Sequence, residues 1–315
     1  MPAKTATALF LAAALLACAR GERSVPPAPA PAADLSSYRP LNDFRGRIVF
    51  QSDLDGDNDI YLLTREGLTR LTDDPASDEF PRWSPDGGRI AFSSNRSGRY
   101  QIHVMGADGS RVVQATRSEA DAIEEAWFPD GKRIAYTEER KKALGRSYTL
   151  WSVDLEGGRT ERILPEFDGS NALPEISPAA PLLGFTGKRL RGWDVYVADL
   201  QTRAWRALTK GGRACRPRFS PDGSRIAYVS SDADRKGDIW LMKPDGSGKR
   251  RLTAMPETWD YFPSWSPDGK HLVFSSGTEH YPTQGRWSLS MVKADTGTVA
   301  PLFASGARDV FPDWH

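Results

Sequence analysis

The stretch FPRWSPDGGRIAFSSNRSGRYQIHVMGADGSRVVQAT, Phe80 to Thr116, holds four short apolar runs separated by turns. The runs are PRW, RIAFSS, QIHVM and RVVQAT, and the breaks between them are SPDGG, NRSGRY and GADGS. Pro-Asp-Gly supplies a fixed negative φ, an Asx side chain that bonds its own backbone, and a residue free to take positive φ, which together make a tight reversal. Helix-period patterning is nearly absent, so the stretch reads as four short strands joined by turns.

The same unit recurs along the chain. Aligning Trp83, Trp127, Ile176, Phe219, Trp265 and Trp314 gives spacings of 44, 49, 43, 46 and 49 residues. Nine residues after the first five stands Phe92, Tyr136, Phe185, Tyr228 or Phe274. Two residues before the aligned position stands proline, at 81, 174, 217, 263 and 312, with Glu125 the exception. SPDG follows at 84, 220 and 266, FPDG at 128, and a degraded SPAA at 177. Four strands at this period predict a propeller blade, because small sheets bury both faces only when arranged radially about an axis.

The first unit begins at GRIVF, Gly46 to Phe50, with no preceding P-x-W strand, and the sequence stops at FPDWH, Phe311 to His315. The terminal string supplies the missing strand. We therefore expect an all-β, six-bladed β-propeller over residues 44–315, its ring closed by the C-terminal strand pairing with the N-terminal blade so that no sheet edge is left open there.

Ahead of it, MPAKTATALFLAAALLACAR carries Lys4 and an apolar run from Ala8 to Ala17, too short to span a bilayer and suited to a signal peptide over residues 1–17. The run ends in Leu15-Leu16-Ala17-Cys18, which resembles a bacterial lipobox, so Cys18 is the expected lipidation site. Cys215 is then the one remaining thiol and no internal disulfide forms. Residues 18–43, rich in Pro and Ala, read as an extended tether. The balance of 42 basic and 41 acidic residues gives no global attraction to nucleic acid.

The repeat, at its clearest in Phe80 to Thr116 and Pro217 to Thr253, resembles that of the TolB-like six-bladed propellers. The resemblance covers about residues 44–315, and the few residues between Cys18 and Gly46 imply a lipoprotein form without the α/β domain that TolB carries before its propeller. It implies a protein-binding scaffold in the bacterial envelope; with the lipobox and the lack of catalytic motifs, a monomeric, non-enzymatic protein lipid-anchored at the outer membrane and facing the periplasm is expected. The expected partner is an envelope protein or polymer. The alternative is a channel-binding carbohydrate or peptide module, or a propeller enzyme.

Residues that carry chemistry are sparse. Asp53, Asp55, Asp57 and Asp59 suggest a calcium loop, but Asn58 and Thr64 stand where that motif needs Gly and Glu. No G-x-S-x-G and no paired-histidine metal motif occurs, so no catalytic residue, metal or cofactor is expected. Asp78, Asn171, Asp260 and Asp309 recur five residues before the aligned aromatics, at the loops entering the innermost strands, and are candidates for ligand contact at the channel mouth or for bonds to the turn backbone. On the same loop face the first two blades carry mostly acids. The third to fifth carry Arg140, Lys141, Lys142, Arg146, Lys188, Arg189 and Arg191, a candidate basic docking surface.

Overall fold

The computed structural model describes residues 35–143, 145–189, 192–279 and 285–315. Its strands form six four-stranded antiparallel sheets, one per repeat. The innermost strands are Asp78–Trp83, Asp121–Trp127, Ser170–Ile176, Ala214–Phe219, Trp259–Trp265 and Val310–Trp314, and they surround the channel. Val310–Trp314 belongs to blade one, where the order from the axis outward is Val310–Trp314, Ile48–Ser52, Asp59–Leu63 and Leu68–Arg70. The chain's two ends therefore share a sheet, as the repeat phase predicts.

The SPDG turns use their side chains as expected. In blade two the Ser84 hydroxyl donates to Asp86 at 2.6 Å, the Gly88 amide donates to the same carboxylate at 3.0 Å, and Gly87 takes φ +64°. A Cβ on Gly87 would lie 2.0 Å from Nε2 of His315, so both conformation and space demand glycine there.

These turns also fasten neighbouring blades. Arg47 donates to the Gly87 carbonyl at 2.9 Å and lies 4.4 Å over the Trp83 ring. Arg89 repeats this on Gly131 and Trp127, and Arg225 on Gly269 and Trp265. Each such clasp combines a charge-assisted hydrogen bond with a cation–π contact, each worth about 1 kcal/mol. Blade four has Ile176 in place of the tryptophan and SPAA in place of the turn, and Arg133 turns back onto Asp130 of its own blade.

A second repeated device joins the outer strands to the sheet. Thr72, Thr116, Thr209 and Thr253 accept hydrogen bonds from the amides of Ile60, Ile102, Val195 and Ile239 at 2.9–3.0 Å. Thr72, Thr116 and Thr209 in turn donate to Asp59, Gln101 and Asp194. In these four blades a threonine just past the outermost strand thus fastens that strand to the third.

The signal peptide, Cys18 and the first part of the expected tether lie outside the described residues. From Leu35 onward the chain lies on the propeller, with Leu35, Tyr38 and Phe44 packed against it and the residues between them largely exposed. Tyr38 sits 6.1 Å from Phe303, the Leu41 amide donates to the Leu302 carbonyl at 2.7 Å, and Phe44 is buried edge-on to Trp314. Residues 35–43 thus form a strap between blades six and one.

Candidate functional site

The channel is built by a departure from regular strand geometry. Each innermost strand slips register against the next strand outward, opposite Gln51 in blade one and between Glu79 and Arg82, Ile123 and Ala126, Ala172 and Glu175, Cys215 and Arg218, and Tyr261 and Ser264 in the others. At each slip one non-glycine residue takes positive φ: Phe80, Glu124, Leu173, Arg216, Phe262 and Phe311, all between 55° and 59°. Such a conformation costs roughly 1 kcal/mol or more per residue and persists only where the surroundings hold it.

The preceding blade does the holding. The amides of Phe80, Glu124, Leu173 and Arg216 donate to the side chains of Gln51, Ser93, Thr137 and Thr186 at 2.9–3.4 Å. Those four are the residues directly after the buried aromatic of the second strand in blades one to four, so in these blades one polar side chain holds the next blade's turned residue; in blade five the position is Val229.

The channel is closed at this level. Phe311 packs 4.4 Å from Phe80 and 3.9 Å from Phe262, centroid to centroid. The Arg216 guanidinium lies 4.4 Å over Phe262 and 5.3 Å over Phe311, and pairs with Glu124 at 3.2 Å. Glu124 and Arg216 are 6 % and 9 % exposed, so the pair operates at low local dielectric.

Just past the plug lies a second charged layer. Arg82 and Arg218 both donate to Oε2 of Glu175, at 2.6 and 3.1 Å, and Arg82 also reaches Asp313 at 3.4 Å. Burial pushes the Glu175 carboxyl up to about 7 against the pull of Arg82. Glu125, where five of six repeats have proline, is 2 % exposed and accepts a hydrogen bond from Ser93 at 2.8 Å. Burial pushes it up to about 8, against the Ser93 bond that favours its charged form.

The positions expected at the channel mouth lie at the starts of innermost strands but are 0–1 % exposed, and their side chains are spent inward. Asp78 accepts from Arg96 at 2.9 Å, and Asn171 from the Leu150 amide at 2.6 Å. Asp260 accepts from Ser276 at 2.8 Å, and Asp309 from Ser52 and the Ser305 amide at 2.7 and 2.8 Å. Of the two uses expected for them, the geometry fits structural fastening rather than ligand contact.

The basic set is partly neutralised. Arg140 pairs with Glu138, Arg146 with Glu139, and Arg189 with Asp168. Lys141, Lys142 and Lys188 are exposed, and Arg191 lies outside the described residues. The acidic side is interrupted too. Arg96 pairs with Asp74, Arg99 donates to the Glu119 carbonyl, and Arg308 lies 3.6 Å from Asp53. The separation of sign read from the sequence is therefore weaker than expected, because arginines share the loops counted as acidic.

The acidic run at residues 53–59 is arranged around Arg70. Asp55 accepts from Tyr61 at 2.6 Å and sits 3.5 Å from Arg70, while Asp59 accepts from Arg70 at 2.5 Å. Sequence reasoning missed Arg82, Glu175 and Arg218, and read Glu124 and Arg216 as loop charges rather than channel residues. The available signal was the residue between proline and the aligned aromatic in each unit, polar at 82, 175, 218, 264 and 313.

The model for the TolB beta propeller domain matches residues 38–180 and 100–315. The chain belongs to the TolB β-propeller family. An uncharacterized protein of Agrobacterium fabrum is 28% identical over 253 residues, covering 78% of this chain and 82% of that protein. The Tol-Pal system protein TolB of Anaeromyxobacter dehalogenans is 33% identical over 129 residues, covering 40% of this chain and 29% of that one. Among solved structures, TolB from Acinetobacter baumannii superposes with TM-score 0.73 at 21% identity, over 87% of this chain and 67% of that one. A putative TolB from Agrobacterium tumefaciens gives 0.66 at 23%, over 83% and 90%. At these identities the solved structures speak to the fold alone.

Proposed function

We propose that this TolB-family propeller is a non-enzymatic scaffold of the bacterial envelope, exported by residues 1–17, anchored through a lipid on Cys18 and facing the periplasm to bind an envelope protein. The carrying observation is the family match across residues 38–315, within a family whose TolB relatives are named for the Tol-Pal system. The closed waist adds to it. With Phe80, Phe262, Phe311 and the Arg216–Glu124 pair filling the axis, contact with a macromolecule falls to the loop faces.

The exposed Lys141 and Lys142, at the tip of the long hairpin of blade three, are with Lys188 the part of the basic surface left for a partner. Replacing Arg140, Lys141 and Lys142 together by alanine is expected to weaken recovery of a cross-linked envelope partner, more at low salt than at high salt. Equal recovery at both salts removes that surface from the reading. Mass spectrometry of the mature N-terminus and fractionation of Cys18→Ser test the anchor: the intact protein should carry acyl chains and the variant should leave the membrane fraction. An unacylated mature protein that begins elsewhere refutes it.

A further inference from the structure

Three blade seams share one construction. At the one–two, two–three and five–six seams an arginine covers the next blade's tryptophan and holds the glycine carbonyl of its turn. The seam between blades three and four is built differently. Ile176 stands at the tryptophan position, Ala179 and Ala180 replace the Asp-Gly of the turn, and Pro181 completes an exposed apolar run that starts at Pro178. Arg133, at the arginine position, lies 4.2 Å over Phe128 of its own blade and pairs with Asp130 at 2.8 Å.

These departures from the repeat all face one cavity. Its volume is about 450 Å³, and Phe128, Ile163, Ile176, Ala179, Ala180 and Leu200 supply apolar walls. Pockets of about 300–1,000 Å³ are of a size to bury a small ligand or side chain. At the two–three seam the corresponding groove runs between Val104, Val113 and Leu155, the counterparts of Ser152, Glu161 and Leu200. It ends at Arg89, which lies over Trp127. With Arg133 turned aside, the three–four cavity continues inward to Ile176 and Ser177. Its rim is balanced in charge: Arg133 pairs with Asp130, Arg203 with Glu166 at 3.5 Å, and Arg162 stands next to Glu161 on the outer strand. A neutral group is therefore the electrostatic complement.

We propose that the three–four seam is a docking site for a tryptophan side chain of a partner protein. The indole lies on Ile176 and the turn at residues 178–181, and Arg133 swings from Phe128 to cover it as Arg89 covers Trp127. The molecule itself shows the fit, because the side chain between these same elements in three other seams is an indole under a guanidinium. Tryptophan is also among the side chains that most often anchor an interface from a water-excluding pocket, and an arginine over its ring adds a cation–π contact. This surface is separate from the basic one above. Arg133 and Lys142 stand at opposite ends of one strand, so either surface can fail without the other.

The test uses the full chain and uncharged probes: a blocked tripeptide with tryptophan between two alanines, its leucine counterpart, free indole, and N-acetyltryptophanamide bearing a diazirine. Ligand-observed NMR measures binding, and mass spectrometry maps the photolabel. The label is expected within residues 160–164 and 176–182, and the tryptophan peptide should displace it. That peptide should bind about tenfold more tightly than the leucine peptide, and more tightly than free indole. Two variants should each weaken it about tenfold. Ala179→Asp with Ala180→Gly restores the repeat's turn at exposed positions, and Ile176→Trp supplies the ring from within. The proposal is overturned if the label falls elsewhere or is not displaced, if the leucine peptide binds as well, or if both folded variants bind as the parent does. Free indole binding as tightly as the peptide also overturns it, since the ligand is then a small aromatic molecule. Should neither variant fold, the label map on the intact protein decides the matter.

Discussion

Arg47 and His315 exchange both of their backbone hydrogen bonds, the Arg47 amide donating to His315 at 2.6 Å and the His315 amide to Arg47 at 2.8 Å. The pairing continues as Ile48 with Trp314 and Val49 with Asp313, and the Trp314 indole donates to the Arg45 carbonyl at 2.7 Å. Residues far apart in sequence thus complete one sheet, and that sheet closes the ring.

Removing residues 311–315 takes away this strand together with Phe311 of the plug. The single change Trp314→Ala, at a side chain 8 % exposed, is expected to cost about 3–5 kcal/mol, and the deletion more. Thermal unfolding followed by circular dichroism reads both. An unchanged melting temperature in the deleted protein refutes the closure.

Glu125 links stability to pH. Its folded pKa, about 8, lies above the ordinary carboxyl value, so the folded state retains a proton that the unfolded state releases. Its contribution is complete below about pH 4 and is lost as pH rises toward 8, at up to about 1.4 kcal/mol per pH unit. Glu125→Gln keeps the size but cannot ionise. The variant should gain on the parent between pH 5 and 8 in chemical denaturation, and two parallel curves would contradict the assignment. Glu175 and Arg82 remain in both proteins, so their contributions largely cancel in the difference.

The buried pair Arg216–Glu124 should show strong coupling. Each single change, Arg216→Met or Glu124→Gln, leaves one charge buried without its partner and is expected to cost about 3–5 kcal/mol, while the double change costs less than the sum. A double-mutant cycle measures this. Additive effects would mean that the pair contributes no mutual stabilisation.

Gly87→Ala is predicted to destabilise by more than about 1 kcal/mol, because the new methyl meets His315 and the backbone holds φ +64°. Combining it with His315→Ala should recover the steric part and leave the conformational part. Equal destabilisation in both backgrounds would exclude the contact with His315.

Much of the fold was legible in the sequence because the repeat exposes it. The aromatic at 92, 136, 185, 228 and 274, the Pro-Asp-Gly turns and the incomplete first unit each follow from local chemistry, and together they fix six blades and the closure. The channel was less legible. Strand alternation is interrupted where Phe80, Glu124 and Arg216 take positive φ, so which side chains reach the axis depends on a hydroxyl or amide from the neighbouring blade. Asp78 and Asp309 read as mouth residues from their place in the repeat, but hydrogen bonds to Arg96 and Ser52 hold them inside. The charge pattern misled for a simpler reason: Arg96 and Arg99 stand in the loop between acidic segments and neutralise them locally.

The lone SPAA turn bears on how the wheel yields. Blade four has no tryptophan for Arg133 to cover, and at the next seam Leu182 stands where blades one, two and five have arginine. That sector lacks the guanidinium-on-indole clasp of the one–two, two–three and five–six seams and is tied instead by Arg203 to the Ile163 carbonyl, Arg206 to the Pro244 carbonyl and Arg218 to Glu175, so its rim, with fewer aromatic clasps, is a natural place to part under heat or mechanical load. A circle that breaks at a chosen sector can admit or release something along its radius while its terminal latch stays shut.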